Sequence, residues 1–186
     1  RNFQYNQCEY ADDIEPEAID EICEETMGPH HMTGCFGCQV HCRAQYKIPT
    51  GPFKGKYDEG PEYTSQGAFG SETDTPRAET VLVGNHLVDQ FGMDNLETGS
   101  LISWAMELYE LGILSSKDTD GLDLRFGNDE AVIEMIERIC FRKGKVADAL
   151  AQGGIPASKI FGKKSFDYLI QVKGMNNLHS DERATP

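Results

Sequence analysis

The sequence predicts a mainly α-helical fold that is interrupted by one irregular, cysteine-containing segment. Three stretches after residue 76 place apolar residues at helical spacing, and each is bounded by residues typical of helix ends. Between residues 28 and 70, by contrast, glycine, proline and cysteine are frequent and little periodicity is evident. Such a segment must be stabilised by a feature other than an apolar core, and its cysteines indicate that this feature is a metal site.

The composition of the 186 residues is sufficient for one ordinary apolar core, in one domain or slightly more. The net charge of -14 argues against a nucleic-acid partner, because a polyanion would repel the chain. No stretch approaches the roughly 20 apolar residues that cross a bilayer, and residues 1–10 lack a signal-peptide core. We therefore expect a cytoplasmic protein without a transmembrane segment. Because the chain starts at Arg1 and stops at Pro186, we also expect a fragment of a longer protein.

The first predicted helix is short and amphipathic and covers residues 14–26. Pro16 is compatible with this assignment, because the first turn of a helix does not use the missing N–H of proline. The apolar residues of this stretch fall at helical spacing: Ile14, Ala18, Ile19, Ile22 and Cys23.

Two longer helices are predicted on either side of a glycine turn. The first follows Thr75-Pro76 and ends at Gly92, a residue suited to the left-handed conformation at a helix C-terminus. The second is capped by Asp94, with a glutamate three places on, and ends at Gly112.

A third clear helix is predicted from Asn128 or Asp129 to Lys143, with basic residues near its C-terminal end. Residues 147–151 are typical of one more short helix, and residues 166–172 fit either a strand or a helix. No strong alternating pattern predicts a strand elsewhere.

Three of the six cysteines, Cys35, Cys38 and Cys42, fall within eight residues. Their spacings, with glycines beside them, allow three thiolates to converge on one polymetal cluster. Three close ligands and a distant fourth are common for a four-iron cluster, whereas structural zinc more often uses two separated pairs. Zinc ligation and buried thiols remain as alternatives. Cys140 shares a predicted helix face with isoleucines, which favours a buried role, so a fourth ligand is expected beyond Pro186.

The order of several short motifs resembles the aldehyde:ferredoxin oxidoreductase family. After the cysteine triplet, the matching motifs are Glu59-Gly60-Pro61-Glu62-Tyr63, Asp89-x-x-Gly92-Met93-Asp94, Ala105-Met106-Glu107-Leu108-Tyr109-Glu110, Arg125-Phe126-Gly127-Asn128, Leu150-Ala151-Gln152-Gly153 and Val172-Lys173-Gly174-Met175. The resemblance covers nearly the whole chain. It implies a fragment of the helical middle and C-terminal domains of that fold, with an irregular cluster-binding loop.

In that family the cysteine triplet holds a 4Fe-4S cluster beside a tungsten atom chelated by two molybdopterins. The resemblance therefore implies that Cys35, Cys38 and Cys42 are cluster ligands, and that the second cofactor is a tungsten (or molybdenum) bis-molybdopterin. Polar contacts to the cluster sulfurs and the degree of burial of the cluster both tune its reduction potential. We therefore expect neighbours such as Phe36 and Val40 to pack closely around the loop. A ferredoxin or an iron-sulfur electron-transfer subunit is the implied electron partner, and the enzyme is expected to form an oligomer.

The resemblance also implies a pterin contact for Asp89, Gly92 and Asp94, which match the family's DxxGL(C/D) motif with Met93 in place of leucine. A helix end followed by a helix start offers a carboxylate and backbone groups to the nitrogens of a ring. An isolated aspartate at this place would more often be a cap or a solvated residue, but the upstream cysteines favour the ligand contact. Glu62 is expected near the cofactor because of its place in the family motif.

These assignments divide the chain into four parts. Residues 1–27 form a lead-in helix, and residues 28–70 form the cluster-binding region. Residues 71–165 form a helical pterin-binding region, and residues 166–186 begin the next domain.

The substrate prediction depends on Thr64. Many aldehyde-oxidising relatives carry a glutamate after this motif, so the resemblance is closer to the catalytic subunit of class II benzoyl-CoA reductase, which reduces an aromatic acyl-CoA. His30 and His31 precede the cluster loop and are candidate proton donors, although structural hydrogen bonding is an equal alternative. Aldehyde oxidation, a zinc-stabilised binding module and a purely electron-transferring module are the alternative functions.

Overall fold

The computed structural model describes residues 1–5 and 8–177, and it confirms the mainly α-helical class. Residues 178–186 of the predicted next domain lie outside this range. The described helices are α1 (Ala11–Ile14), α2 (Pro16–Met27), α3 (Tyr63–Gln66), a π-helical turn (Gly67–Ser71), α4 (Ala78–Phe91), α5 (Asn95–Glu110), α6 (Asp129–Cys140), α7 (Lys145–Leu150), α8 (Gly154–Phe161) and α9 (Lys163–Phe166). The described strands are β1 (Met32–Thr33), β2 (Arg43–Lys47), β3 (Tyr57–Gly60), β4 (Gln171–Val172) and β5 (Met175–Asn176).

Helices α4, α5 and α6 form the body of the fold, where α4 packs against α6 and both α4 and α5 pack against the π-helical turn. Full burial of a large apolar side chain stabilises a fold by about 1.5–3 kcal/mol, so this body dominates the core. The largest fully buried side chains of these three helices are Trp104, Leu82, Ile102, Met106, Leu108, Met135 and Ile136, and Phe69 of the turn is also fully buried.

The predicted ends of these helices are largely confirmed. Gly92 ends α4 in the left-handed conformation, with φ 64°. The Asp94 carboxylate caps α5 by accepting from the backbone N–H of Glu97 at 2.7 Å. Asn128 caps α6, which ends at Cys140 rather than at Lys143.

The π-helical turn fits between α4 and α5 because each helix has a glycine at the contact. A Cβ atom on Gly84 would lie 2.6 Å from the ring of Phe69, and a Cβ atom on Gly99 would clash with Ala68. The absence of side chains at both glycines therefore permits the close approach.

The prediction of an irregular segment across residues 28–70 is wrong in part, because β1, β2 and β3 form an antiparallel sheet there. In this sheet Ala44 pairs with Met32 on one side and Tyr46 pairs with Asp58 on the other. Helix α2 packs against β2, whose Ala44 and Tyr46 are buried. The strands have two to five residues, which is too short for the alternating pattern to be prominent.

Three other boundaries differ from the predictions. Helix α2 begins at Pro16 and is preceded by the separate helix α1. Helix α8 was not predicted, because consecutive glycines such as Gly153 and Gly154 at its start are typical of a turn rather than of a helix. The ambiguous residues 166–172 contain the end of α9 and the strand β4.

Among the described residues, no helix combines the length and the apolar character needed to span a bilayer.

Candidate cofactor site

The three clustered cysteines lie on the loop between β1 and β2, and all three are exposed. The backbone N–H of Cys38 donates to the carbonyl of Cys35 at 2.9 Å, and the N–H of Val40 lies 3.5 Å from the Cys38 Sγ atom. Gly37 permits the tight turn between them, with φ 75°. The loop therefore presents three thiols together with a backbone donor to sulfur.

This donor set fits a 4Fe-4S cluster. Among residues 1–5 and 8–177, no three His, Cys, Asp or Glu side chains are grouped so that they could hold one metal ion. The thiolates of a 4Fe-4S cluster bind separate iron atoms and need not meet at a single point. Exposed thiols on one short loop match that requirement.

The other cysteines lie outside this loop. Cys23 is fully buried on α2, and burial raises the pKa of its thiol to about 11, which makes it a poor ligand. Cys140 is half-buried at the end of α6. Its predicted role as a packing residue stays a prediction.

Cys42 and Glu62 line the same cleft, which has a volume of about 370 Å³. The structure thus brings a predicted cluster ligand and a predicted cofactor contact together. The remaining lining residues, which are mostly apolar, are Pro16, Ile19, Asp20, Met32, Ala44, Pro61, Tyr63 and Gln66. Phe36 and Val40, which we expected to pack around the loop, are instead exposed.

His31 is buried and both of its ring nitrogens have partners. Nε2 lies 2.7 Å from Asp20 Oδ1, and Nδ1 lies 3.0 Å from the carbonyl of Gly28. Both partners are acceptors, so the ring is doubly protonated in this arrangement, and the hydrogen bond to Asp20 raises the pKa of His31. A direct proton transfer from His31 to substrate would require one of these bonds to break. His30 is exposed, and its predicted role stays a prediction.

The predicted pterin motif forms the turn between α4 and α5. Asp89 lies in the last turn of α4, where partial burial and the charge of Asp58 raise the pKa of its carboxyl group. Gly92 reverses the chain, and one oxygen of Asp94 is occupied in capping α5. The Asp89 carboxylate at this helix end fits the N–H donors of a pterin ring.

Arg43 connects the cluster loop with the pterin motif, and sequence reasoning missed it. Its guanidinium forms an ion pair with Glu59 at 2.9 Å. Burial alone would lower the pKa of Arg43, but the hydrogen bond to Cys35 and the charges of Glu59 and Asp89 raise it. The sequence signal that could have identified Arg43 is its position, since it is a cation directly after Cys42.

A buried hydrogen-bonded pair between β3 and α4 was also missed. Asp58 Oδ2 lies 2.6 Å from His86 Nδ1. The side chain of Asp58 is 14% exposed and that of His86 is 9% exposed. The pair fixes the sheet against the helix that carries Asp89.

Comparison with known proteins decides the family. The sequence model of the family described as "Aldehyde ferredoxin oxidoreductase, domains 2 & 3" matches residues 1–186. The chain belongs to the aldehyde ferredoxin oxidoreductase family. The predicted family and the predicted helical fragment of that fold are thereby confirmed.

Two characterised relatives show how similar the sequence of this chain is to known proteins. The tungsten-containing aldehyde ferredoxin oxidoreductase of Thermococcus kodakarensis is 32% identical over 172 residues, which are 92% of this chain and 27% of the relative. The aliphatic sulfonate oxidoreductase, WOR-like subunit, of Pyrococcus furiosus is 31% identical over 144 residues, or 75% of this chain and 23% of the relative. The chain therefore spans about a quarter of the length of these two relatives.

A solved structure shares the fold of this aldehyde ferredoxin oxidoreductase segment. It is the active-site complex BamBC of benzoyl coenzyme A reductase in complex with 1,5-dienoyl-CoA. The TM-score is 0.73 at 22% identity, and the match covers 96% of this chain and 26% of that chain. The predicted fold is confirmed over nearly all of the segment.

Proposed function

We propose that the protein containing this chain is a low-potential tungstopterin iron-sulfur oxidoreductase. Family membership and the exposed cysteine loop support this proposal. Cys35, Cys38 and Cys42 would hold the 4Fe-4S cluster, and the Asp89 turn would contact one of two molybdopterins that chelate tungsten or molybdenum. When bound, these groups supply two-electron chemistry at the pterin-held metal and single-electron exchange at the cluster.

The residues around the loop would position and tune these cofactors. Arg43 holds a positive charge beside Cys35, where it would offset the negative charge of a bound cluster. The cleft beside Cys42 is apolar on most of its wall and carries carboxylates from Asp20 and Glu62. Such a site can exclude water from a substrate while keeping a proton-carrying group within it.

We propose an aromatic acyl-CoA, reduced as in class II benzoyl-CoA reductase, as the substrate. The observation that carries this choice is Thr64, which stands in α3 directly after the cleft-lining Tyr63, where many aldehyde-oxidising relatives have a glutamate. A hydroxyl cannot act as the carboxylate base proposed for aldehyde oxidation. The benzoyl coenzyme A reductase complex shows that a protein of this fold can bind a dienoyl-CoA.

Aldehyde oxidation is the second candidate, and the similarity to aldehyde-oxidising relatives favours it. The Thermococcus kodakarensis protein is named a tungsten-containing aldehyde ferredoxin oxidoreductase. In that case Glu62, which lines the cleft, is the carboxylate available as a base. We propose a cytoplasmic oligomer with a ferredoxin or an iron-sulfur subunit as electron partner for either reaction.

Metal analysis and turnover of the full-length enzyme test the proposal. We expect tungsten or molybdenum, iron and acid-labile sulfide in the anaerobically purified protein, and reduction of benzoyl-CoA by a low-potential donor. Oxidation of aldehydes without benzoyl-CoA reduction would select the second candidate. Zinc without iron would indicate a binding module, and iron without tungsten or molybdenum would indicate an electron-transfer module.

A further inference from the structure

A buried polar network connects the three-stranded sheet with the Asp89 turn, and its centre is Asn85 on α4. The residue is 4% exposed. Its amide nitrogen lies 3.2 Å from the Tyr46 hydroxyl, 3.2 Å from the Glu59 carbonyl and 3.4 Å from Asp89 Oδ2. The two N–H groups of this amide thus serve three acceptors, one on β2, one on β3 and the carboxylate of the pterin motif, so one N–H is shared between two of them.

The opposite side of the amide fixes its orientation. Asn85 Oδ1 accepts from the Ser65 hydroxyl at 2.8 Å and from the Asn95 amide at 3.3 Å. The Tyr46 hydroxyl already donates to the carbonyl of Leu82 at 2.8 Å, so toward Asn85 it can only accept. The amide nitrogen must therefore face the three acceptors, and a flipped amide would place oxygen against oxygen.

The backbone of β3 lies directly against this amide. Gly60 adopts φ 104°, and a Cβ atom at this position would lie 3.1 Å from Asn85 Nδ2. Ser65 belongs to α3 and Asn95 to the first turn of α5, so Asn85 joins four elements to its own helix. Five hydrogen-bonding partners restrict the Asn85 side chain to one orientation.

We propose that Asn85 is a positioning residue that holds the Asp89 carboxylate for the pterin and sets its place relative to the cluster loop. This inference rests on the proposed function. The amide is neutral at every physiological pH, so it holds Asp89 without adding to the charges that Asp58, His86 and Arg43 already place near that carboxylate. Groups that orient a cofactor contact in this way affect binding although they do not touch the cofactor.

The test is Asn85→Asp in the full-length enzyme, read as the ratio of tungsten (or molybdenum) to iron. The new carboxylate would face three acceptors, and we expect this ratio to fall about tenfold while iron per chain stays constant. Asn128→Asp is the matched control, because it removes an amide donor to the carbonyl of Asp123 far from the motif while keeping a good helix cap. An unchanged ratio in Asn85→Asp would overturn the proposal.

Ser65→Ala keeps the proposal testable if Asn85→Asp does not accumulate. It removes one donor to Asn85 and should lower the same ratio by a smaller factor, about fivefold. Equal loss of iron and tungsten in Asn85→Asp, with an unchanged ratio in Ser65→Ala, would make Asn85 a purely structural residue and overturn the proposal. A wild-type enzyme without tungsten or molybdenum would overturn the proposed function itself, whereas a loaded wild type with unchanged variants overturns only the positioning role.

Discussion

The cysteine loop and the helical body are held together in different ways. In the loop of residues 35–42 all three cysteines are exposed, and Phe36 and Val40 are exposed as well. In the body, Leu82, Ile102 and Trp104 are almost completely buried. The body therefore supplies the stability of the fold, and we propose that the loop depends on a bound group for its order. Three variants test this difference between the loop and the body.

Cys38→Ser should have the largest effect, because it removes a thiolate ligand from the loop. We expect iron and acid-labile sulfide to fall to less than about a quarter of the wild-type content per chain, since loss of one ligand destabilises the whole cluster. Iron analysis and electron paramagnetic resonance of the reduced enzyme measure this loss. Cys140→Ser, at the end of α6, is the control and should keep its iron. Full iron and an unchanged redox signal in Cys38→Ser would refute the ligand assignment.

Leu82→Ala should affect the body and not the loop. Truncation of a fully buried leucine costs about 2–5 kcal/mol of unfolding free energy, because it removes apolar burial and leaves a cavity. The shift of the denaturant midpoint of the enzyme measures this cost, with iron per folded chain expected to remain unchanged. Leu111→Ala, at a half-exposed position, should change the free energy by less than about 0.5 kcal/mol. Equal effects of the two variants would contradict the division between body and surface.

His31→Gln should have the smallest effect, and the effect should depend on pH. The pKa of His31 is raised above its ordinary value of 6.5, so the folded state binds the proton more tightly than the unfolded chain does. The resulting stabilisation is complete below about pH 6.5 and is lost as the pH rises through the raised pKa. The melting temperatures of wild type and variant should therefore differ most at low pH and converge at high pH.

Melting curves between about pH 5 and about pH 9 test this dependence. His30→Gln is the matched control, because His30 is exposed and its removal should cause no such trend. A difference between wild type and His31→Gln that grows with rising pH would contradict the sign of the pKa shift.

The helices could be predicted because their signals are local. The helix ends at Gly92, Asp94 and Asn128 are local signals, because each depends only on residues no more than four positions away from it. The three-stranded sheet was missed, although Ala44 and Tyr46 of β2, and Ile48 just after it, alternate with polar residues. Alternation over so few residues is a weak signal beside the glycines and cysteines around it.

The candidate site could be predicted only where its residues are close in sequence. The cysteine triplet and the Asp89 motif are predictions of this kind, and the structure places Cys42 and Glu62 in one cleft. Arg43 and Asn85 were not found, because their importance comes from partners brought together by folding. Asn85, for example, contacts Tyr46, which is 39 positions earlier in the chain.

The two glycines beside the π-helical turn have a consequence for selectivity. The turn continues directly from α3, which supplies Tyr63 and Gln66 to the cleft wall. A methyl group at Gly84 or Gly99 would meet Phe69 or Ala68 and displace the turn, and the cleft wall would move with it. The choice of molecules that enter the cleft is therefore adjustable from the interior of the protein, by substitutions that touch neither metal nor substrate.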